Sequence, residues 1–410
     1  MSLDAVVYGA SEVVAVGEAG LDISEDAAIA VVDGEVARIG ESGAVSREFP
    51  PQNATCAIDA RGRTVLPGFV DPHTHALFAG DRSDEFAAKL RGKTYQEILS
   101  EGGGILRTVR AVRETSDREL LDNLLSHLDR MLSYGSTTVE VKSGYGLDTE
   151  TELRMLEVIA RADALHPVDL VPTFMGAHAV PEDQDADDYV EEVIEEQLPA
   201  VADQGIAEYC DVFCEEGVFD VEQSRRVLEA GEEYGLTPKV HAEELSHLGG
   251  TQLAADLGAT SADHLLFATE EDAAAVADAG VIPVFLPGTA FSLGAEYADA
   301  DLFLDAGSPV AVATDFNPNC HSRDMSFAVT LSCVEMGLTP AQAIEAATKN
   351  AALAVDRPEL GTLQEGTPAD LMVVDAPSYV HVPYTFGENL IERVLKGGEL
   401  VYENGEGVYR

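Results

Sequence analysis

The chain of 410 residues carries 74 acidic against 25 basic side chains, a formal charge of −49, and 46% of it is hydrophobic. That balance weighs against nucleic acid and anionic membranes as partners, since both need basic patches, while the apolar share is ample for a large core. The acids are spread through helical stretches such as Tyr189-Val-Glu-Glu-Val-Ile-Glu-Glu. Such a surface suits a halophilic protein, whose self-repulsion a salt-rich cytoplasm would screen.

Five cysteines form no CxxC pair and, being odd in number, no disulfide framework. The start, Met1-Ser-Leu-Asp-Ala-Val-Val, lacks a basic stretch followed by an apolar one, and no apolar run approaches ~18 residues. A soluble, cytoplasmic protein is expected.

Residues 1–62 read as short strands. Ala27-Ala-Ile-Ala-Val-Val-Asp-Gly-Glu-Val-Ala-Arg-Ile-Gly is a strand, an Asp-Gly turn and a second strand. The segment 360–410 repeats the style, with Asp370-Leu-Met-Val-Val-Asp and Arg393-Val-Leu-Lys-Gly-Gly-Glu-Leu-Val-Tyr. The two ends are expected to form one small β-sandwich domain beside the rest of the chain.

Val65 to Val70, broken only by Pro67-Gly68, reads as a buried strand that delivers His73-Thr-His75 at its end. In extended chain, positions i and i+2 face one way. Both imidazoles, the commonest metal ligands in proteins, can therefore face one point. Further on, Gly102-Gly-Gly104 marks a flexible connection. Ser116-Asp-Arg-Glu119 is a capping box opening a helix with a leucine stripe, closed by Gly135.

From there strands alternate with helices. Strands are expected at 137–142, 169–174, 208–214, 237–241, 261–265, 281–286 and 309–315. The helices between and after them fall at 150–162, 187–203, 221–234, 249–257, 270–279, 296–306, 323–336 and 339–355. Counted from Val65 there are eight strands, and the alternation argues for a parallel sheet. Residues 63–359 are therefore expected to fold as an α/β (β/α)8 TIM-like barrel. An open doubly wound sheet would show a Gly-rich phosphate loop after its first strand, which Gly68-Phe-Val-Asp-Pro-His73 is not.

In such a barrel, chemistry sits at the C-terminal ends of the strands. The first strand delivers His73 and His75. The fifth ends Lys239-Val-His241-Ala-Glu-Glu244, the sixth Ser261-Ala-Asp-His264, and the eighth Ala313-Thr-Asp315-Phe-Asn317. Four of only ten histidines thus fall at these mouths. Three neutral imidazoles and one carboxylate leave a position for water, the arrangement of a hydrolytic centre. His73, His75, His241 and Asp315 are the candidate ligands of one Zn²⁺ or Fe³⁺ ion, which ligand type alone does not separate. Glu244 is placed to carry a proton between the water and a leaving nitrogen. His264 either orients the water or acts as base, or it supports Asp315; both readings stay open. Cys210 and Cys214 read as small core residues.

The His-x-His, the histidines of strands five and six and the aspartate of strand eight resemble the amidohydrolase superfamily, as does the segment Gly361-Thr-Leu-Gln-Glu-Gly-Thr-Pro-Ala-Asp370-Leu. Strand four lacks the lysine through which binuclear members bridge two metals, so the resemblance implies a single ion.

More specific stretches are similar to the imidazolonepropionase family. They are Phe78-Ala-Gly-Asp-Arg82, Glu140-Val-Lys-Ser-Gly-Tyr145-Gly-Leu, Thr173-Phe-Met-Gly-Ala-His178-Ala-Val-Pro, Asp211-Val-Phe-Cys-Glu-Glu-Gly-Val-Phe219, Lys239-Val-His-Ala-Glu-Glu-Leu245 and Thr314-Asp-Phe-Asn-Pro318. The resemblance implies hydrolysis of the cyclic amide of 4-imidazolone-5-propanoate to N-formimino-L-glutamate, in histidine degradation, by a homodimer. It further implies that Arg82, Tyr145 and His178 hold the propanoate arm, Arg82 as a fork and the other two by donating one hydrogen bond each. Glu244 would face the ring, Asn317 the formimino end, and Glu244 or Asp315 would pass the proton. Asn319 and Cys320 stand where the family usually has a glycine and a small hydroxyl residue. Contacts from these two would rest on the Asn319 backbone and on the likeness in size of Cys320 to serine. The alternatives are an aminohydrolase acting on a heterocycle, which needs no carboxylate clamp, and a non-catalytic protein of the same fold.

Overall fold

The computed structural model describes residues 2–17, 19–93, 97, 98 and 102–409. Eight parallel strands, Phe69–Asp71, Ser136–Lys142, Asp169–Ala177, Tyr209–Cys214, Thr237–Ala242, Ser261–His264, Ile282–Phe285 and Ala311–Val312, follow one another in chain order around a single sheet. The first and last strands meet where Asp315 N–H donates to the His73 carbonyl (3.1 Å) and His75 N–H to the Phe316 carbonyl (3.0 Å). The expected (β/α)8 barrel is therefore present, and its seam is sewn by residues of the candidate site.

The barrel strands are buried on both faces, so polarity rather than burial separates inside from outside. Val139 and Val141 pack outward in an apolar layer with Leu124, Leu128 and Ile159. Glu140 and Lys142, alternating with them, point inward. Cys210, Val212 and Cys214 likewise pack outward, with Asp211 inward. The period of two thus sends every second residue of these strands toward the barrel axis.

The run from Val65 to Val70 differs from expectation. Thr64–Pro67 pairs with Leu371–Val374 in the terminal sheet, and the barrel begins only at Phe69. The break falls at Gly68, where an added Cβ would lie 2.4 Å from the Thr137 side chain. Only glycine lets the first barrel strand start so close to the second.

The terminal sheet has nine strands. Its hairpins turn at Asp33-Gly34 and Gly397-Gly398, all four at positive φ, as two-residue hairpin loops require. Val7 and Ile29 from one end of the chain share an apolar core with Leu371, Val373 and Leu395 from the other. Lys396 donates to Asp169 Oδ2 at 2.6 Å and also to Asp370. Asp169 opens the third barrel strand, so this contact lies at the end of the barrel opposite the chemistry.

Most helices fall where expected. The capping box at Ser116 and Glu119 is formed. The stretch expected at 187–203 is Ala186–Glu192 and Leu198–Gln204, joined by a wide π-type turn over Val193–Gln197. Pro199, which cannot continue a regular turn onto the Glu195 carbonyl, accounts for it. The stretch at 339–355 breaks at Thr348, against which the backbone of Gly361 packs (an added Cβ would meet the Thr348 carbonyl carbon at 2.3 Å). An additional helix, Pro287–Leu293, follows the seventh strand, and the next begins only at Ala300. Among the described residues no helix is long and apolar enough to cross a membrane.

Candidate active site

The C-terminal ends of the strands converge as the period-two pattern requires. His73 and His75 follow the first strand, His241 lies in the fifth, His264 closes the sixth, and Asp315 follows the eighth. All five are nearly inaccessible, at 3% exposure or less. His264 and Asp315 adopt left-handed φ of 81° and 48°, a conformation that non-glycine residues keep only where their surroundings hold them.

The ligand-type atoms of His73, His75 and His241 lie within 4.8 Å of one another. His75 Nε2 and His241 Nε2 are 3.3 Å apart. Asp315 Oδ1 stands 3.6 Å from His73 Nε2 and 3.8 Å from His75 Nε2.

The outer edges of two rings are fixed by carboxylates. His73 Nδ1 donates to Asp263 Oδ2 (2.6 Å) and His241 Nδ1 to Asp211 Oδ1 (3.1 Å). Each therefore keeps a bare lone pair on Nε2, and His73 Nε2 is buried with no hydrogen-bond partner among the described residues. Imidazole nitrogens converging beside a carboxylate are suited to hold a cation between them. Three nitrogens and one oxygen are a donor set that fits zinc or iron. Burial holds His73 and His75 well below the ordinary histidine range, in the neutral form that ligation requires.

Asp315 is held by Thr289 Oγ1 on its other oxygen and by Asn317 Nδ2 (2.9 Å) on Oδ1. Of two adjacent glutamates, Glu243 turns away and accepts from Gly249, Gly250 and Thr251 backbone N–H groups. Glu244 lines the cavity, with Oε2 3.7 Å from His264 Nε2. Burial, reinforced by the charges of Asp315 and Glu215, pushes Glu244 up to about 8.

A cavity of about 450 Å³ opens over this cluster, lined by His75, His241, His264, Glu244 and Asp315 and also by Arg82, Tyr145, His178, Asn317 and Asn319. Arg82 is 7% exposed and donates through Nε to Glu85 Oε2 at 2.8 Å. Glu85 also accepts from Gly104 N–H (3.1 Å), fixing one end of the Gly102–Gly104 connection; residues 94–96 and 99–101 lie outside the described residues. His178 stacks on His75 (centroids 4.7 Å apart, 17° between planes), and Tyr145 packs against both rings.

The geometry bears on two further expectations. His178 Nδ1 donates to the Gly144 carbonyl (2.8 Å), and burial, with His241 nearby, lowers the ring to about 3. Without a ligand the neutral ring presents Nε2 as an acceptor, and donating to a carboxylate there requires the ring to take up a proton, which a bound anion favours. Cys320 does not line the cavity: its Sγ faces the Thr314 carbonyl at 3.6 Å. The Asn319 and Cys320 N–H groups both donate to Asn317 Oδ1, and Asn319 Oδ1 accepts from Lys89 Nζ (2.8 Å).

Sequence reasoning missed Asp211, Asp263, Glu85, Thr289, Lys89 and the buried lysines Lys142 and Lys239. Lys142 Nζ donates to Glu140 Oε1 (2.8 Å) and Asp211 Oδ2 (2.7 Å). Burial alone would lower its pKa, but Asp211, Glu140 and Asp263 together raise it. The signal was available: charged residues at inward positions of strands otherwise buried on both faces.

The barrel, its terminal sheet and the imidazole cluster at the strand ends define a hydrolase of the amidohydrolase type. The sequence pattern of the Amidohydrolase family matches residues 64–401, and the chain belongs to that family. Within it the chain groups with the imidazolonepropionases. It is 68% identical over 405 residues to the imidazolonepropionase of Haloarcula marismortui, covering 98% of this chain and 96% of that protein. It is 63% identical over 414 residues to that of Halobacterium salinarum, covering 98% and 99%. Among solved structures, an adenosine deaminase from Xanthomonas campestris with bound zinc matches with a TM-score of 0.78 at 17% identity, covering 100% of this chain and 95% of the other. At that identity the likeness shows the fold alone.

Proposed function

We propose that the protein hydrolyses the cyclic amide C–N bond of 4-imidazolone-5-propanoate, giving N-formimino-L-glutamate. The observation that carries this reading is that one cavity is lined both by the imidazole cluster with its carboxylates and by the Arg82 guanidinium. A hydrolytic centre and an anion anchor share one space.

A cation held by His73, His75, His241 and Asp315 would acidify a water and polarise the ring carbonyl. Arg82, with Nε committed to Glu85, keeps its Nη groups without another hydrogen bond among the described residues, ready for the propanoate carboxylate. Tyr145 closes that wall, and the flat face of His178 against His75 shapes it. The water oxygen bonds to the ring carbonyl carbon, the C–N bond breaks, and its electron pair stays on the ring nitrogen. Glu244, whose carboxyl holds a proton near neutral pH, gives that proton to the nitrogen as the bond breaks and is restored by the proton that the attacking water loses. His264 Nε2, beside Glu244, faces the oxygen on which charge develops.

The test is turnover of 4-imidazolone-5-propanoate by protein purified in molar KCl, with metal content measured on the same sample. Formation of N-formimino-L-glutamate with about one metal per chain supports the reading. Metal without turnover of the acid, but with deamination of a ring amine, would replace it with an aminohydrolase.

A further inference from the structure

Beneath the ligand imidazoles lies a charge cluster that no step of the reaction calls on. Lys142, Glu140, Asp211 and Asp263 are each 0% exposed. Lys142 Nζ lies 2.7 Å from Asp211 Oδ2, 2.8 Å from Glu140 Oε1 and 3.9 Å from Asp263 Oδ2. The same two aspartates meet ligand rings: Asp211 accepts from His241 Nδ1 at 3.1 Å, and Asp263 from His73 Nδ1 at 2.6 Å. One ammonium thus stands behind two of the three candidate ligand histidines, reached through one carboxylate each.

The arrangement has a directional logic. A carboxylate only accepts, so each ring must carry its proton on Nδ1 and present Nε2 bare to the cavity. Each carboxylate needs its own anchor, or it would swing and let the ring swing with it. Asp211 has that anchor on Oδ2, where Lys142 donates, while Oδ1 serves His241. Asp263 has no hydrogen-bond partner on Oδ1 among the described residues, and the charges of Lys239 and of Lys142, the latter 3.9 Å away, hold it. Three carboxylates this close also repel one another; Lys142 between them, and Lys239 at 3.6 Å from Glu140 Oε1, offset that repulsion.

We propose that Lys142 is a positioning residue of the metal site, setting the orientation and tautomer of His241 through Asp211 and of His73 through Asp263. The proposal rests on the reading that these histidines hold a cation. A lysine serving only to balance buried charge would change the stability of the fold and leave cation affinity alone.

The experiment measures zinc affinity by competition with a chromophoric chelator, and the melting temperature of the metal-free form, for wild type, K142M, K142Q and D211N. The expected result is a loss of zinc affinity of about 10- to 100-fold in K142M and in D211N, the range for groups that orient ligands, with K142Q between them and wild type. A K142M protein that melts lower but binds zinc as tightly as wild type overturns the proposal. If K142M leaves its carboxylates uncompensated and fails to fold, the charge-balanced E140Q/K142M, which keeps both histidine-bound aspartates, carries the test. Affinity about 10-fold or more below that of E140Q supports the proposal, and affinity equal to that of E140Q overturns it. Wild-type protein that binds no zinc or iron would instead sink the metal-site reading itself, a separate and recognisable failure.

Discussion

Replacing Arg82 by Met separates an acid-binding ring hydrolase from its relatives that act on uncharged rings. Arg82 is 7% exposed and lines the cavity over the imidazole cluster, so a carboxylate meeting it is largely removed from water. Truncating one partner of a buried, hydrogen-bonded charge pair costs about 2–5 kcal/mol. At about 1.4 kcal/mol per tenfold, kcat/KM for the propanoate substrate should fall by about 30-fold to a few thousand-fold. The loss should sit mainly in KM, because the anchor holds ground state and transition state alike. The fold should survive, since Glu85 keeps the Gly104 N–H and has Arg107 Nη1 at 3.5 Å. The assay is steady-state hydrolysis of 4-imidazolone-5-propanoate beside an imidazolone whose side chain ends in methyl. Wild type should prefer the acid strongly, and R82M should treat the two alike. An R82M protein that keeps the wild-type preference for the acid would refute the clamp.

Glu244→Gln should lower turnover by about 10²–10⁴-fold with cation content unchanged; near-wild-type turnover would rule out Glu244 as proton carrier. The same variant has a pH signature in metal-free protein. With its pKa raised from 4.5 to about 8 on folding, Glu244 stabilises the fold fully below pH 4.5, and that contribution is lost as pH rises through 8. Wild type should therefore lose melting temperature over this window more steeply than E244Q, and parallel curves would refute the shift. Cys320→Ser should leave kcat/KM within about twofold, since serine can donate to the same Thr314 carbonyl; a tenfold loss would place the thiol against substrate. The melting temperature should climb from dilute buffer to molar KCl as the −49 charge is screened, and a flat response would show that self-repulsion does not limit stability.

The parts of this structure legible in the sequence depend on neighbours along the chain. His73 and His75 are two residues apart, and strand geometry alone turns them to one side. The alternation of strand and helix is also local, and eight repeats leave few ways to close a sheet. What stayed hidden depends on register between distant strands. Asp263 meets His73 from 190 residues away, and Asp211 meets His241 from 30. Each looks like one more acid among 74 until the barrel sets strand four beside strand five and turns strand six toward strand one across its interior. The split at Gly68 was invisible for the same reason, because it depends on the Thr137 side chain one strand over. Tyr145 and His178 were singled out by resemblance alone, and resemblance could not show that the N–H of His178 is already engaged by Gly144.

An acidic protein that captures an anion faces a conflict that salt resolves. The surface repels a carboxylate, yet Arg82, Lys89 and Lys93, three of only 25 basic residues, line the one cavity over the imidazole cluster. The two influences act over different distances. The Debye length is about 3 Å at 1 M salt and about 30 Å at 0.01 M. In molar salt the surface charge fades before the ligand arrives, while the short contacts made inside the cavity persist. In dilute salt the repulsion reaches well beyond the protein and opposes approach. Steering of this kind changes association rates by about 10- to 1000-fold, so kcat/KM for the propanoate substrate should rise with KCl, the reverse of an enzyme with a basic entrance. The measurement belongs in the range of salt over which melting curves show the protein fully folded, with the methyl-ended imidazolone as control. If the control gains as much from salt as the acid, salt is acting on the fold and not on the approach of charge.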